Sequence, residues 1–350
     1  MLSLVTGSSG LLGHCLVSRL HERGADVRGL DLVPPDAPEI ERPGEFVSGD
    51  CADASCVDAA ARDVDVIFHL AAAQRMKPQF AHLDEDRIFQ GNLAGVRNVL
   101  RVAERRGVRK VVVLSSSGIY GIPRTVPCRE DHPTVPLGAY GRSKLAAEAL
   151  CREAIERGLD VTVLRPMSLF GPRMTGVFVM LFEWVRTGRP VFVLGRGRNR
   201  VQMVSAWDVA DACRLALERP EASGAFLNLG SEPDSVPTVY DEVRALVEHA
   251  GTGSTIVRIP AFALRSAARL LQPFGLSPIV PEHYILADRD FILDIGAARR
   301  VLGWQPRHDN VRMLVDAYDW YAGADERYRF RPPVMLRILN ALTPRRASAG

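Results

Sequence analysis

Lysine is nearly absent from this chain of 350 residues. Of its 44 basic side chains only Lys77, Lys110 and Lys144 are lysines, and the rest are arginine. So one-sided a choice reads as a habit of composition, and no nucleic-acid partner is expected. Long apolar runs are missing too. The longest, such as Val111–Leu114, fall far short of the roughly 18 residues that a membrane-spanning helix needs. The first of them, Leu2–Val5, gives way at once to the turn residues Thr6-Gly7, so no signal peptide is expected. A soluble, cytoplasmic protein is the expectation. The six cysteines form no Cys-x-x-Cys pair and stand near no histidine cluster, so reduced thiols used as apolar filler are expected and no metal. Internal repeats and low-complexity segments are absent. With 47% hydrophobic and 24% charged residues, the composition excludes a disordered or collagen-like chain.

What the chain does have is rhythm. Short β-branched runs (Leu2–Val5, Asp26–Asp31, Glu45–Ser48, Val64–Leu70, Lys110–Ser115, Val161–Arg165) alternate with helical stretches (Gly10–Arg23, Ala54–Arg62, Gln90–Arg106, Tyr140–Arg157). That alternation predicts parallel βαβ units. Gly24, Gly107 and Gly158 follow three of the helices, where left-handed caps belong. Strands such as Val111–Leu114 are apolar on both faces, so helices must cover both sides of the sheet, giving an α/β, doubly wound fold. After Gly171-Pro172 the rhythm changes, which divides the chain. Residues 1–171 with about 201–230 form one domain, where Ala225–Leu229 returns as a further strand. Residues 172–200 and 231–325 form a smaller one. Residues 326–350 are a tail: the segment 327–350 carries six arginines and no acid, so residues 1–326 bear a net −3 against the chain's +3.

The first strand runs into Gly7-Ser8-Ser9-Gly10-Leu11-Leu12-Gly13, which opens a helix. Glycines there let the backbone approach a pyrophosphate while the helix N-terminus offers free N–H groups and positive potential. Asp31 closes the second strand. A carboxylate at that point accepts bonds from ribose hydroxyls and repels a 2′-phosphate, which selects NAD over NADP. Tyr140 and Lys144, four apart on a predicted helix, share a face. An ammonium beside a phenol favours the phenolate and is expected to lower a pKa that is otherwise near 10. Ser116, at the end of the fifth strand, would bond the same substrate hydroxyl.

Taken together, these motifs resemble the extended branch of the short-chain dehydrogenase/reductase family, the NAD-dependent epimerases and dehydratases that act on nucleotide sugars. The likeness covers about residues 2–325. It implies a Rossmann domain with a smaller substrate-binding domain and a catalytic set of Ser116, Tyr140 and Lys144. It also implies a cofactor site lined by Gly7, Ser9, Gly10, Leu11, Leu12, Gly13, Asp31, Asp50, Cys51, Leu70, Ala71, Ala72, Asn92, Ser115, Tyr140, Lys144 and Pro166, with Asn92 opening its helix. Leu164-Arg165-Pro166 and Phe170-Gly171-Pro172-Arg173 resemble the family's crossing into the substrate domain, where Ser117, Ser168, Arg173, Arg198, Arg200 and Arg289 are the substrate candidates. Arg198 or Arg200 would grip phosphate.

Departures from the family pattern carry information. The dehydratases of this branch have Thr-Asp-Glu where this chain has Ser116-Ser117-Gly118, so elimination of water lacks its proton carriers. Ser168 replaces a usual Asn, and Val201 a usual Arg. The triad by itself implies only reversible alcohol oxidation; the resemblance implies an NAD-dependent epimerase of a nucleotide-linked sugar, acting at carbon 4 through a transient keto intermediate. The alternatives are a dehydrogenase or reductase of a bulky hydroxy or keto substrate and, further off, a dinucleotide sensor without catalysis. The resemblance also implies a homodimer through the helices that begin near Asn92 and Tyr140, with Leu145, Ala146, Ala149 and Leu150 packing on the second. Two amphipathic segments, 259–280 and 327–342, pack on the protein or a partner subunit. Contact with an anionic membrane is the minor alternative for them.

Overall fold

In the computed structural model, residues 1–35, 45–74, 80, 83–171, 173–174, 177–260 and 288–325 are described. The segment 261–280 and the tail 327–350 lie outside them. The β-branched runs become β1 (Leu2–Thr6), β2 (Asp26–Asp31), β3 (Glu45–Ser48), β4 (Val66–His69), β5 (Lys110–Leu114) and β6 (Val161–Pro166). Every residue of β4, β5 and β6 is buried, as strands covered on both faces must be. Between them lie α1 (Leu11–Glu22), α2 (Ala54–Ala60), α3 (Glu85–Arg106) and α4 (Ala139–Glu156). Gly24, Gly107 and Gly158 all take the left-handed conformation.

One boundary differs from expectation. α3 begins five residues before Gln90, because Asp84 caps it by accepting from the Arg87 N–H (2.7 Å). Its first turn is Glu85-Asp86-Arg87, which faces water and carries no apolar period. Asn92 therefore sits two turns inside the helix, buried, and does not open it.

Beyond β6 the chain forms β7 (Ser168–Phe170), α5 (Val177–Arg186), β8 (Val191–Leu194), β9 (Met203–Ser205), α6 (Ala206–Glu218), β10 (Phe226–Leu229), α7 (Val239–Ala250), β11 (Ile256–Ile259), α8 (Gly296–Leu302) and α9 (Asn310–Gly323). The main sheet is parallel throughout, in the order β10-β6-β5-β4-β1-β2-β3. It is a doubly wound, Rossmann-like sheet. The order reverses at β1, between β2 and β4, so the crevice for a ligand opens beyond the ends of β1 and β4. Leu12, Leu16, Val209 and Cys213 of α1 and α6 pack on one face, and Val57, Val96, Val99 and Ala147 of α2–α4 on the other. All six cysteines are free thiols and five are buried.

The remaining elements pair among themselves: β7 with β9 and β8 with β11 make two small parallel sheets. A separate core joins them to α5, α7 and α9 through Phe170, Phe182, Val193, Leu246, Leu314 and Tyr318. One side chain stitches this core together. Asn310 accepts from Met203 N (3.2 Å) and Ser231 Oγ (2.7 Å), and it donates to Val201 O (2.8 Å) and to Glu242 Oε1 (2.6 Å). Glu242 is 2% exposed, and burial pushes its carboxyl up to about 8. No described helix is long and apolar enough to cross a membrane.

Because its folded value exceeds its unfolded one, Glu242 contributes stability that is complete below about pH 4.5 and is lost as pH rises towards 8. In Glu242→Gln that loss disappears. Denaturant unfolding at about pH 5 and about pH 8 should show the variant gaining on the wild type by about 1–3 kcal/mol between the two conditions.

Candidate active site

The mouth of the crevice is built first by glycine. At the end of β1, Gly7 takes φ +72° and donates from N to Leu30 O (2.8 Å). A Cβ on it would stand 2.8 Å from the Ala71 nitrogen, so this turn lies directly against the chain leaving β4. At Gly13 a Cβ would stand 2.1 Å from Gly7 O, which is how α1 closes onto the turn. Gly10 caps α1 without a side-chain bond, leaving the first-turn N–H groups, those of Leu11 and Leu12 among them, for a ligand. Asp31 lies at the side of this cradle. Its Oδ2 accepts from Ser9 N (3.0 Å) and its Oδ1 from Leu32 N (2.7 Å), while Ser9 Oγ donates to Val33 O (2.7 Å). Asp50 is exposed and accepts from Ala52 N (2.8 Å). Cys51 is buried, and burial pushes its thiol up to about 12.

Ser116, Tyr140 and Lys144 come together across β5 and α4. Ser116 caps a 3-10 turn over Ser117–Ile119, accepting from Gly118 N (3.1 Å). The first turn of α4 lies directly on it: a Cβ at Gly141 would stand 2.7 Å from Gly118 O, so only glycine lets Tyr140 approach Ser116 this closely. Lys144 is buried, and its Nζ donates to Leu114 O (2.6 Å), 5.8 Å from the centre of the Tyr140 ring. The expected lowering of the phenol by this ammonium is not what the structure shows. Burial raises Tyr140 above its ordinary value, against the opposing hydrogen bonds from Gln74 and Ser116. The ammonium is turned to a carbonyl, and desolvation of the ring wins. Behind it His69, bonded through Nδ1 to Thr6 Oγ1 (2.8 Å), is pushed down to about 3 by burial and then by Lys144, so the imidazole is neutral.

Two buried clamps hold this arrangement. Asn92 takes Ala73 N on Oδ1 (2.7 Å) and donates to Ala73 O (3.1 Å) and Ser143 Oγ (3.1 Å), tying the chain after Leu70, Ala71 and Ala72 to α4. Glu148, one turn beyond Lys144, is held by Arg165 through two parallel bonds, Nε to Oε1 (2.8 Å) and Nη2 to Oε2 (2.7 Å). Ser115 also donates to Glu148 (2.6 Å), so its hydroxyl is committed there, and Pro166 follows Arg165 at the end of β6. The sequence motifs point to neither Glu148 nor Gln74. Glu148 was legible, since it repeats the spacing from Tyr140 to Lys144 on the same helix face. Gln74, in a loop, left no such signal.

The substrate candidates do not gather in one place. Arg198, Arg200 and Arg289 lie on paired segments, with Val201 bridging Phe291 and Arg200 O accepting from Phe291 N (2.8 Å). There Arg200 meets Asp290 at 3.8 Å, while Arg198 and Arg289 are exposed. Arg173 stands apart from them. It is left-handed (φ +65°). Ser117 is buried in the 3-10 turn and Ser168 is exposed at the start of β7.

Residues 3–230 match the model of the NAD dependent epimerase/dehydratase family. The chain belongs to that family. Among its relatives is the uncharacterized protein y4nG of Sinorhizobium fredii, 34% identical over 98% of this chain and 85% of the relative. The UDP-glucose 4-epimerase of Mycolicibacterium smegmatis is 31% identical over 88% of this chain and 94% of the relative. The solved UDP-glucose 4-epimerase of Thermotoga maritima, with UDP-glucose, superposes with a TM-score of 0.75 at 25% identity, covering 92% of this chain and 98% of that one.

This is an NAD-dependent enzyme of the epimerase/dehydratase family, and the cradle fits its cofactor. The spaces that a Cβ at Gly7 or Gly13 would fill keep the turn tight against Ala71 and α1, and the uncapped start of α1 suits a pyrophosphate. Asp31 suits the adenosine ribose. Leu32 and Val33 follow it, and neither is a cation that could receive a 2′-phosphate. Asp31→Ala should therefore weaken NAD and relax the preference towards NADP, measured by titrating both dinucleotides into the purified protein. Equal affinity of the wild type for the two would refute this role for Asp31.

Proposed function

We propose that the protein is a nucleotide-sugar epimerase that inverts carbon 4 of a UDP-linked sugar through a transient keto sugar. The observation that carries this reading is the meeting of Tyr140, Ser116 and the buried Lys144 beside the glycine cradle. On this reading residues 1–171 and about 201–230 hold NAD, and residues 172–200 and 231–325 hold the substrate. Bound NAD supplies the hydride acceptor that the sugar needs, and it stays on the enzyme. The ionised form of Tyr140 takes the proton of the sugar hydroxyl, becoming the neutral phenol, and Ser116 Oγ holds the same hydroxyl in line. Lys144 supplies positive charge 5.8 Å from the centre of the phenol ring. The raised, protonated phenol equally suits the return of a proton to the keto oxygen. Arg198, Arg200 and Arg289 offer charge for a diphosphate, with Asp290 holding Arg200 until an anion competes for it. Nothing in Ser116-Ser117-Gly118 offers the second acid and base that loss of water requires.

The experiment is a screen of UDP-sugars with purified protein, following epimer formation by NMR and cofactor reduction by absorbance. New epimer with no net NADH is the expected result. Stoichiometric NADH without epimer would assign a dehydrogenase instead. On an accepted sugar, Tyr140→Phe should lose about 10²–10⁴-fold in rate with fold and NAD binding intact. Ser116→Ala should lose less, and Lys144→Met should lose both turnover and NAD affinity.

A homodimer through α3 and α4 belongs to the same proposal. Supporting it is an apolar concavity of about 350 Å³ on the outer side of α4, lined by Pro136, Leu145, Ala146 and Ala149 with Arg142 and Arg152. Light scattering at micromolar concentration should give twice the chain mass of 38.4 kDa, and a monomer would remove this element.

A further inference from the structure

Arg200 and Arg289 come from distant parts of the chain and are held beside one another by a short ladder. Asn199 Nδ2 donates to Arg289 O (3.4 Å), Arg200 N to Asp290 Oδ1 (2.8 Å), Phe291 N to Arg200 O (2.8 Å) and Gln202 N to Phe291 O (2.9 Å). Beyond Gln202 the backbone leaves the ladder. Met203 O accepts from Ser231 N (2.7 Å), and Met203 N donates to Asn310 Oδ1 (3.2 Å). The Gln202 side chain takes over. Its Oε1 accepts from Leu293 N (2.9 Å), and its Nε2 donates to Leu293 O (3.4 Å) and Ser231 O (2.6 Å). A carboxamide carries the donor and the acceptor of a peptide group, so it stands in for one more rung. On the far edge, Cys128 N donates to Ile292 O (2.7 Å) and Cys128 O accepts from Asp294 N (2.9 Å), which ties the same segment to the loop beyond Tyr120.

The rung is built for glutamine. The residue is fully buried, so a carboxamide atom that lost its partner would remain out of water without one. A Cβ at Gly230 would stand 2.2 Å from its Oε1 and 2.3 Å from its Cδ, so glycine there leaves the space that the carboxamide occupies. A carboxylate of the same length could accept from Leu293 N but could not donate to Ser231 O. It would also add a negative charge two residues from Arg200, which already faces Asp290 at 3.8 Å. Val201 and Phe291, paired across the ladder, pack into the core under α1 and α6. The ladder is thus anchored inward, while Arg289 is exposed and Arg200 half-exposed.

We propose that Gln202 is a positioning residue for the anion that Arg200 and Arg289 receive: by extending the ladder it fixes the two arginines beside one another before a diphosphate arrives, so binding need not order them. The inference rests on the UDP-sugar reading for its ligand, and inorganic pyrophosphate is the probe that separates the two. Full-length protein saturated with NAD is titrated calorimetrically with UDP and with pyrophosphate. Gln202→Leu keeps the bulk and removes every side-chain bond, so both anions should bind about tenfold more weakly while NAD affinity stays unchanged. Gly230→Ala, which displaces the carboxamide without altering it, should act in the same direction. The loss should largely vanish in an Arg200→Ala background, which a merely structural role for Gln202 does not predict. On an accepted UDP-sugar, Gln202→Leu should raise KM more than it lowers kcat. Wild-type anion affinity in Gln202→Leu, or an equal loss with and without Arg200, overturns the proposal, as does a wild type that binds neither anion. If Gln202→Leu does not fold, Gly230→Ala decides by the same cycle. Pyrophosphate binding that needs Gln202, in a protein that binds no UDP and epimerises no UDP-sugar, would leave Gln202 in its role and sink the substrate reading. Epimerisation that is indifferent to Gln202→Leu would do the reverse.

Discussion

The site depends on a buried ion pair that takes no part in its chemistry. Arg165 on β6 and Glu148 on α4 meet through two parallel bonds, with both side chains 2% exposed. Arg165 also donates from Nη1 to Tyr120 Oη (2.8 Å) and Glu130 O (2.9 Å), and Tyr120 donates to Asn228 Oδ1 (2.8 Å) on β10. A desolvated pair of this kind adds little net stability, but losing one partner strands a charge and costs about 3–5 kcal/mol. Its value here is angular. Glu148 lies one turn from Lys144 and two from Tyr140, so fixing its carboxylate to β6 fixes the rotation of α4 about its own axis. That rotation puts the phenol at Ser116 and the ammonium under Leu114.

The same constraint explains which parts of the molecule could be read from the sequence. β4, β5 and β6 announce themselves because a strand buried on both faces must be apolar on both. Tyr140 and Lys144 announce themselves because a helical spacing of four is a local fact. The two small sheets do not, since β7 meets β9 and β8 meets β11 across more than 30 residues of intervening chain, with no periodicity to mark the partner. The first turn of α3 was missed for a related reason. Its Asp84 cap is polar and faces water, so the apolar period that betrays a helix starts only later.

Electrostatics were the least legible layer. Spacing shows that Lys144 can sit near Tyr140, but not that its Nζ is committed to the Leu114 carbonyl while the ring is desolvated. Composition shows many arginines, but not that Arg200 meets Asp290. Charge state depends on which partner is nearest in space, and such partners often lie 90 residues away, as Asp290 does from Arg200. The glycines are the exception. Gly13 and Gly141 matter by what they leave out, and the omission is visible in the sequence as the residue itself.

The two sides of the crevice share the core under α1 and α6. On the cradle side, Gly7, Asp31, Asn92 and Tyr140 are locked by backbone bonds and by two cores that sandwich the main sheet. On the other side, Val201 and Phe291, beside Arg200 and Arg289, pack into the core under α1 and α6, while Val193 and Met203, on either side of Arg198, belong to the third core. A few polar side chains join the halves. Gln202 donates to Ser231 O (2.6 Å) and accepts from Leu293 N (2.9 Å), and Asn310 binds both β9 and α7. A change beside Arg200 or Arg289 is therefore felt in the core beneath the cradle as well as in the third core.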